Sequence, residues 1–240
     1  MYLRKANERG KASLGWLDSH HSFSFGHFYD ENHMGFSVLR VINDDIVQPS
    51  RGFDTHGHRD IEIISFVISG ALEHKDSAGN HHIIPAGDVQ VMSAGTGIMH
   101  SEYNASKTSP VRFLQIWILP NQKGLAPSYA QKTVVNEQGL ELLVNGDGSH
   151  GALAINQDAT ISRLKLSEGQ RFSFDMSNAA GYLHIIEGAA AVHASGSSEH
   201  DVEMKEGDAL GIEEGDEVSV VAKRTLIALW FTLPHSEVST

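Results

Sequence analysis

The chain has 240 residues, and 18 Lys+Arg against 30 Asp+Glu give a formal charge of 18 − 30 = −12 with histidine neutral. Its 15 His and absence of Cys exclude a disulfide framework, thiolate metal sites and a cysteine nucleophile, leaving nitrogen and oxygen donors as the means of holding a metal. An acidic chain with no Lys/Arg cluster lacks the electrostatic footprint of phosphate binding, so direct nucleic-acid binding is not expected. No apolar run approaches the roughly 18 residues of a membrane helix, and the start, Met1 to Gly10, carries charges where an export signal has its apolar core. A cytoplasmic protein without a membrane partner is the expectation. The length accommodates one large or two small domains with real cores.

In chain order, Val38–Ile42, Ile61–Ile68, Val89–Met92 and Phe113–Leu119 are short runs rich in β-branched and aromatic residues, which predicts strands. Glu73 to His82 places a turn cluster between two such runs, a hairpin pattern. Asn121 to Pro127 opens with turn formers after a strand, and the linker is predicted around residues 121–140. The second half repeats the grammar: Tyr182 to Gly188, a turn at Ser195–Ser198, Glu206-Gly-Asp208 and Thr225 to Pro234. Ile68-Ser-Gly70 falls on Ile186-Glu-Gly188, Ala86-Gly-Asp88 on Glu206-Gly-Asp208, and the Trp117 to Pro120 segment on Trp230 to Pro234. Internal duplication of an all-β unit predicts two antiparallel β-barrels in tandem, with boundaries at residues 1–125 and 140–240. The acidic stretch 213–217 reads as a solvated loop.

The chemistry concentrates in the first half. His56-Gly-His58 is followed by the Gly95-Thr-Gly97 turn and then His100-Ser-Glu102. Side chains two apart on a strand share a face, about 6 to 7 Å apart, so two such pairs can converge on one ion. Imidazole with carboxylate suits Fe, Cu, Ni, Mn or Zn and leaves coordination positions open for chemistry. By parity Glu62 could face the same way as the histidine pair on an unbroken strand, as a supporting or alternative ligand. His20-His21 and His81-His82 are adjacent pairs whose members diverge on a strand, and solvated or turn positions are expected for them.

Several segments resemble the pirin family of the cupin superfamily. They are Trp16-Leu-Asp-Ser19, Phe23-Ser-Phe25, Met34-Gly-Phe36, Leu39 to Asp44, the His56-x-His58 segment with Pro85-Ala-Gly87, Ser93 to Asn104 and Gln115 to Ile118. The likeness is to the bacterial quercetin 2,3-dioxygenase branch. It covers most of residues 1–130, while residues 140–240 share only the general pattern. The resemblance implies a bicupin of jelly-roll type with one metal, ligated by His56, His58, His100 and Glu102, and a C-terminal barrel (residues 140–240) without a metal. The common cupin pattern differs at Gln90, where a histidine would stand. Phe172 to Met176 occupies much of the ground equivalent to the histidine pair. The implied function is a metal-dependent dioxygenase that opens the heterocyclic ring of flavonols such as quercetin with O2, with Glu102 as the catalytic base and loss of CO. Fe(II) is the first choice, with Cu, Ni, Mn, Co or Zn as alternatives. The same family also admits a metal-dependent, redox-sensing regulator that binds a protein partner, and a different cupin enzyme is a third reading. A monomer is expected.

Overall fold

Short β-branched runs closed by glycine and asparagine turns leave the chain little besides strand to form. In the computed structural model, which describes residues 1–135, 137–195, 201–213 and 217–235, the helical content among these residues is two single 3-10 turns, Ala6–Glu8 and Ser149–Gly151. Residues 196–198 of the expected turn and 214–216 of the expected acidic loop lie outside the described residues.

The first half contributes β1 (Tyr2–Arg4), β2 (Gly10–Ser13), β3 (Leu17–His21), β4 (Leu39–Val47), β5 (Gly52–His58), β6 (Glu62–Ser69), β7 (Ala71–Asp76), β8 (His81–Pro85), β9 (Asp88–Ser93), β10 (Ile98–Asn104), β11 (Val111–Ile118) and β12 (Ser128–Thr133). The second half contributes β13 (Gly139–Asn145), β14 (Leu153–Ala154), β15 (Thr160–Leu166), β16 (Arg171–Asp175), β17 (Ala180–Glu187), β18 (Ala189–Ala194), β19 (Val202–Lys205), β20 (Ala209–Ile212), β21 (Glu217–Ala222) and β22 (Leu226–Leu233). Each half pairs a large sheet with a small one. In the first half these run β12-β9-β6-β11-β4-β3-β2 and β5-β10-β7-β8; in the second, β1-β20-β17-β22-β15-β13-β14 and β16-β21-β18-β19. Among the described residues, strand pairing is antiparallel except between β13 and the two-residue β14. This is the tandem-barrel architecture expected from the repeat.

The duplication extends to local irregularities. The β11/β6 register shifts between Arg112 and Phe113, and the β22/β17 register shifts at the matching place, between Ile185 and Glu187. Gly70 and Gly188 turn the chain out of β6 and β17 at φ +79° and +92°. A Cβ at either would lie 2.7 Å from the Pro110 carbonyl oxygen or 2.1 Å from that of Thr225, so both the backbone angle and the space require glycine.

Two strands complete the large sheets in ways the sequence division does not show. β12, inside the stretch predicted as linker, pairs with β9 and completes the first barrel's large sheet. β1, at the start of the chain, pairs with β20 of the second. Sequence pattern alone did not show either, because edge pairing depends on partners distant in the chain.

The two large sheets pack face to face. Phe23, Ile42, Phe66, Leu114 and Ile116 meet Val144, Ile161, Tyr182, Leu229 and Phe231 in one core, each side chain contributing about 2 kcal/mol on burial. The second barrel is filled by a continuous apolar cluster including Leu164, Phe174, Leu183, Val220 and Trp230. The first barrel has two smaller apolar clusters, one around Leu72 and Phe113 and one around Ile63 and Met92. A polar interior separates them.

Candidate metal centre and substrate cavity

Alternation along β5 and β10 sets the geometry. His56 and His58 point to the same side of β5, and His100 and Glu102 to the same side of β10. The antiparallel register places His100 opposite His56 and Ile98 opposite His58. The turn at Ala94–Gly97, closed by the Gly97 amide donating to the Ala94 carbonyl at 3.0 Å, feeds directly into β10. The rings of His56, His58 and His100 lie 4.5 to 4.9 Å apart by centroid, and their nitrogens converge within 4.8 Å of one another. His56 Nδ1 lies 2.7 Å from the Asp54 carbonyl oxygen, which turns Nε2 inward to 3.1 Å from His100 Nε2.

Burial pushes His58 down to about 4, helped by His56, and pushes His100 down to about 2, helped by His56, His58 and His74. Both are therefore neutral lone-pair donors at neutral pH. Imidazole nitrogens directed at one point from two strands, with nothing anionic among them to hold protons there, fit a divalent transition ion.

A register shift between His100 and Glu102 carries Glu102 deeper, where it is buried opposite His74 of β7. Glu102, His100 and His74 form a second triad with ligand atoms within 4.8 Å of one another. The four predicted residues thus fall into two groups that share His100. His74 is set by Asp76, 3.1 Å from its Nε2, and stacks on Tyr129 at 4.8 Å. It was not among the residues singled out from sequence, because its place depends on β7 pairing with β10. The one available signal was that His74 falls on a strand face two residues from an acidic partner.

The opposing large sheet supplies a polar floor. Reading across its strands, Gln90, Ser65, Gln115, Asn43 and His21 are successive register partners, and all are buried. Ser65 Oγ donates to Glu102 Oε1 at 3.1 Å, Gln90 Nε2 reaches the same oxygen at 3.4 Å, and Gln115 Nε2 donates to Oε2. Burial nevertheless raises the Glu102 carboxyl to about 7, against the lowering effect of Ser65 and Gln115.

Two sequence expectations are corrected. Glu62 does not follow the histidine pair: Asp60, at φ +51°, breaks the strand. Glu62 then starts β6 in the other sheet, accepting from Ser93 Oγ at 2.6 Å and Asn156 Nδ2 at 3.1 Å. His21 is not solvated but 5% exposed, because β3 buries its inward face; His81 and His82 are exposed as expected.

Beside the histidines lies a cavity of about 460 Å³ whose walls include Trp16, Phe25, Phe28, Phe53 and Trp117, with His56, His58, Glu102 and Gln115 at one end. That volume is within the range of small-molecule sites.

The second barrel shows what the same positions hold without this chemistry. Matching the registers, Ser65 with its partners Gln90 and Gln115 corresponds to Leu183 with Leu210 and Trp230, so Trp230 matches Gln115 rather than Trp117 as the sequence repeat predicted. His56 facing His100 corresponds to Phe174 facing Val218, and His74 facing Glu102 to Val192 facing Val220. All of these counterparts belong to the second barrel's apolar core.

Comparison with known proteins identifies the chain's relatives. Residues 2–118 match the family model described as Pirin, and residues 142–233 match the one described as Quercetinase C-terminal cupin domain. The chain is 41% identical over 235 residues, covering 98% of it and 99% of the relative, to quercetin 2,3-dioxygenase of Escherichia coli K12. It is 38% identical to a putative quercetin 2,3-dioxygenase of Mycobacterium bovis, covering 95% and 93%. The crystal structure of the Escherichia coli bacterial pirin YhhW in complex with nickel(II) superposes with a TM-score of 0.92 at 41% identity, covering 98% of this chain and 99% of that one. With a relative this similar along nearly its whole length, and both halves matching the family's two modules, the chain belongs to the pirin family.

Proposed function

We propose that this chain is a metal-dependent dioxygenase that opens the heterocyclic ring of flavonols such as quercetin. The observation that carries the reading is the convergence of the His56, His58 and His100 imidazoles, with the buried Glu102 grouped with His100, at one end of an aromatic-walled cavity of about 460 Å³. The relatives' names give the substrate class. In this reading His56, His58, His100 and Glu102 hold the ion, which we take to be Fe(II).

A redox-active divalent ion bound there supplies Lewis acidity toward the flavonol 3-hydroxyl and a path for triplet O2 to react with a closed-shell molecule. The chain's own residues do the rest. Trp16, Phe25, Phe53 and Trp117 line the slot in which a flat ligand is held and from which water is displaced. Glu102 takes the 3-hydroxyl proton. Its carboxyl, buried beside the histidines and lining the cavity, is placed to accept that proton and return it to the product. Ser65, Gln90 and Gln115 hold its oxygens in place during that exchange. The balance is closed: flavonol and O2 give a depside and CO, with the proton borrowed by Glu102 returned to the depside.

A cavity of this size favours a small-molecule substrate over the protein-binding regulator. The test is anaerobic loading with Fe(II) followed by quercetin in air. Loss of flavonol absorbance with stoichiometric CO is the expected result, and loaded protein that consumes no quercetin overturns the proposal. Glu102→Gln is expected to keep the ion while losing turnover by about 10²–10⁴-fold; cleavage at the wild-type rate would remove Glu102 as the base.

A further inference from the structure

The cavity has a second polar end. Ser19 and His21 of β3 face Asp45 and Asn43 of β4 in register. All four are buried, at 2% to 5% exposure, and line the same cavity as His56, His58 and Glu102. His21 Nδ1, Asn43 Oδ1 and Asp45 Oδ1 have no hydrogen-bond partner. Unpaired buried polar atoms are costly, and proteins pair almost all of them. Along the same floor, Gln90, Ser65 and Gln115 each direct a side-chain hydrogen bond to Glu102, Gln90 Oε1 staying unpaired there, whereas at the other end His21, Asn43 and Asp45 each present an unpaired atom to the cavity.

An aromatic wall joins the two ends. His21 meets Phe25 edge-on at 5.2 Å, Phe25 meets Trp117 at 5.3 Å, and Trp117 meets His58 at 5.0 Å. A flat molecule lying along this wall with its reacting carbon at the histidines would extend its far ring toward Asn43 and Asp45. Burial lowers His21 to about 4 and raises Asp45 to about 7. The four side chains therefore offer both donors and acceptors and no fixed positive charge, which suits neutral hydroxyls better than a carboxylate or phosphate.

Resting on the flavonol reading above, we propose that Ser19, His21, Asn43 and Asp45 form a subsite for the phenolic hydroxyls of the ring remote from the reacting carbon, so that polyhydroxylated flavonols are preferred over bare ones. A site built to bond a hydroxyl discriminates strongly against the analogue that lacks it, because its own polar groups stay unpaired.

The experiment compares quercetin with 3-hydroxyflavone, which keeps the reacting hydroxyl and lacks those on the outer rings. Dissociation constants are measured by calorimetry on metal-free and Ni(II)-loaded protein, and KM and kcat on Fe(II)-loaded enzyme. Wild type is expected to bind quercetin at least about tenfold more tightly than 3-hydroxyflavone. Asn43→Ala and the shape-preserving Asp45→Asn are each expected to bring that ratio toward one, mainly through KM. Equal affinity of wild type for two flavonols that are both cleaved overturns the subsite alone, as does an unchanged ratio in both variants. If wild type binds and cleaves neither compound, the flavonol reading itself fails and takes the subsite with it.

Discussion

In the second barrel the positions that face inward hold Phe174, Leu183, Val192, Leu210, Val218, Val220 and Trp230. In the first, the register equivalents hold His56, Ser65, His74, Gln90, His100, Glu102 and Gln115. The two barrels share the register shift in the central strand pair, but the shift between His100 and Glu102 in the β5/β10 pair has no counterpart in the β16/β21 pair. An apolar interior therefore suffices for this fold, and the polar one is present for another reason: it sacrifices packing to present donors that a cation and a ligand can use. The joint between the large sheets, rich in aromatic and aliphatic residues, supplies stability that the first barrel's divided core does not.

The comparison is broken most severely at His100. Replacing it with Ala is expected to lower bound metal from about one equivalent to none and turnover by more than about 10³-fold, whereas Val218→Ala at the equivalent place leaves the metal bound and costs about 2 kcal/mol of stability. Elemental analysis with a thermal melt separates the two outcomes. Trp230→Ala, which empties the core of the second barrel, is expected to cost about 3–5 kcal/mol with metal content intact; loss of metal in that variant would mean the barrels do not divide their roles.

The pH dependence sharpens the contrast further. The folded Asp45 carboxyl keeps its proton up to about 7, against an ordinary value of 3.8, chiefly through burial and secondarily through Glu102 and Asp44, with Ser19 opposing. In that window the folded state binds more protons than the unfolded one, so stability is fully present below 3.8 and falls as pH climbs to about 7. Denaturant titrations of metal-free protein are expected to show this decline, on the order of a few kcal/mol, and Asp45→Asn to flatten part of it. The smallest effect is expected for Gln115→Leu, which imitates the apolar floor of the second barrel: near-neutral stability, with turnover reduced about tenfold because one Glu102 oxygen loses its donor.

The histidine cluster was legible because the two-residue parity of a strand is a local rule, and His56, His58, His100 and Glu102 each have a partner two positions away. Glu62 was misjudged for the same reason, since parity holds only while the strand is unbroken and Asp60 breaks it. His74, Asp45 and the Gln90–Ser65–Gln115 row were hidden. Their meaning comes from which strand lies beside which, and that is fixed by pairings between segments far apart in the chain. The tandem architecture was visible in the repeated glycine and proline punctuation, whereas the exchange of β1 into the second barrel left no local mark.

That exchange bears on how the protein is made. Tyr2, Leu3 and Arg4 dock against Ala209–Ile212, Tyr2 packing beside Phe23, Phe36 and Tyr182 and Arg4 donating to the Ser22 carbonyl at 2.9 Å. Tyr2–Arg4 are thus synthesised about two hundred residues before the strand they seat against. Until nearly the whole chain has been synthesised, Tyr2–Arg4 have no partner strand, and a fragment lacking them exposes the edge of β20 to intermolecular pairing. A product cut short before β20 leaves Tyr2–Arg4 and one edge of β17 without a partner strand and is directed toward aggregation.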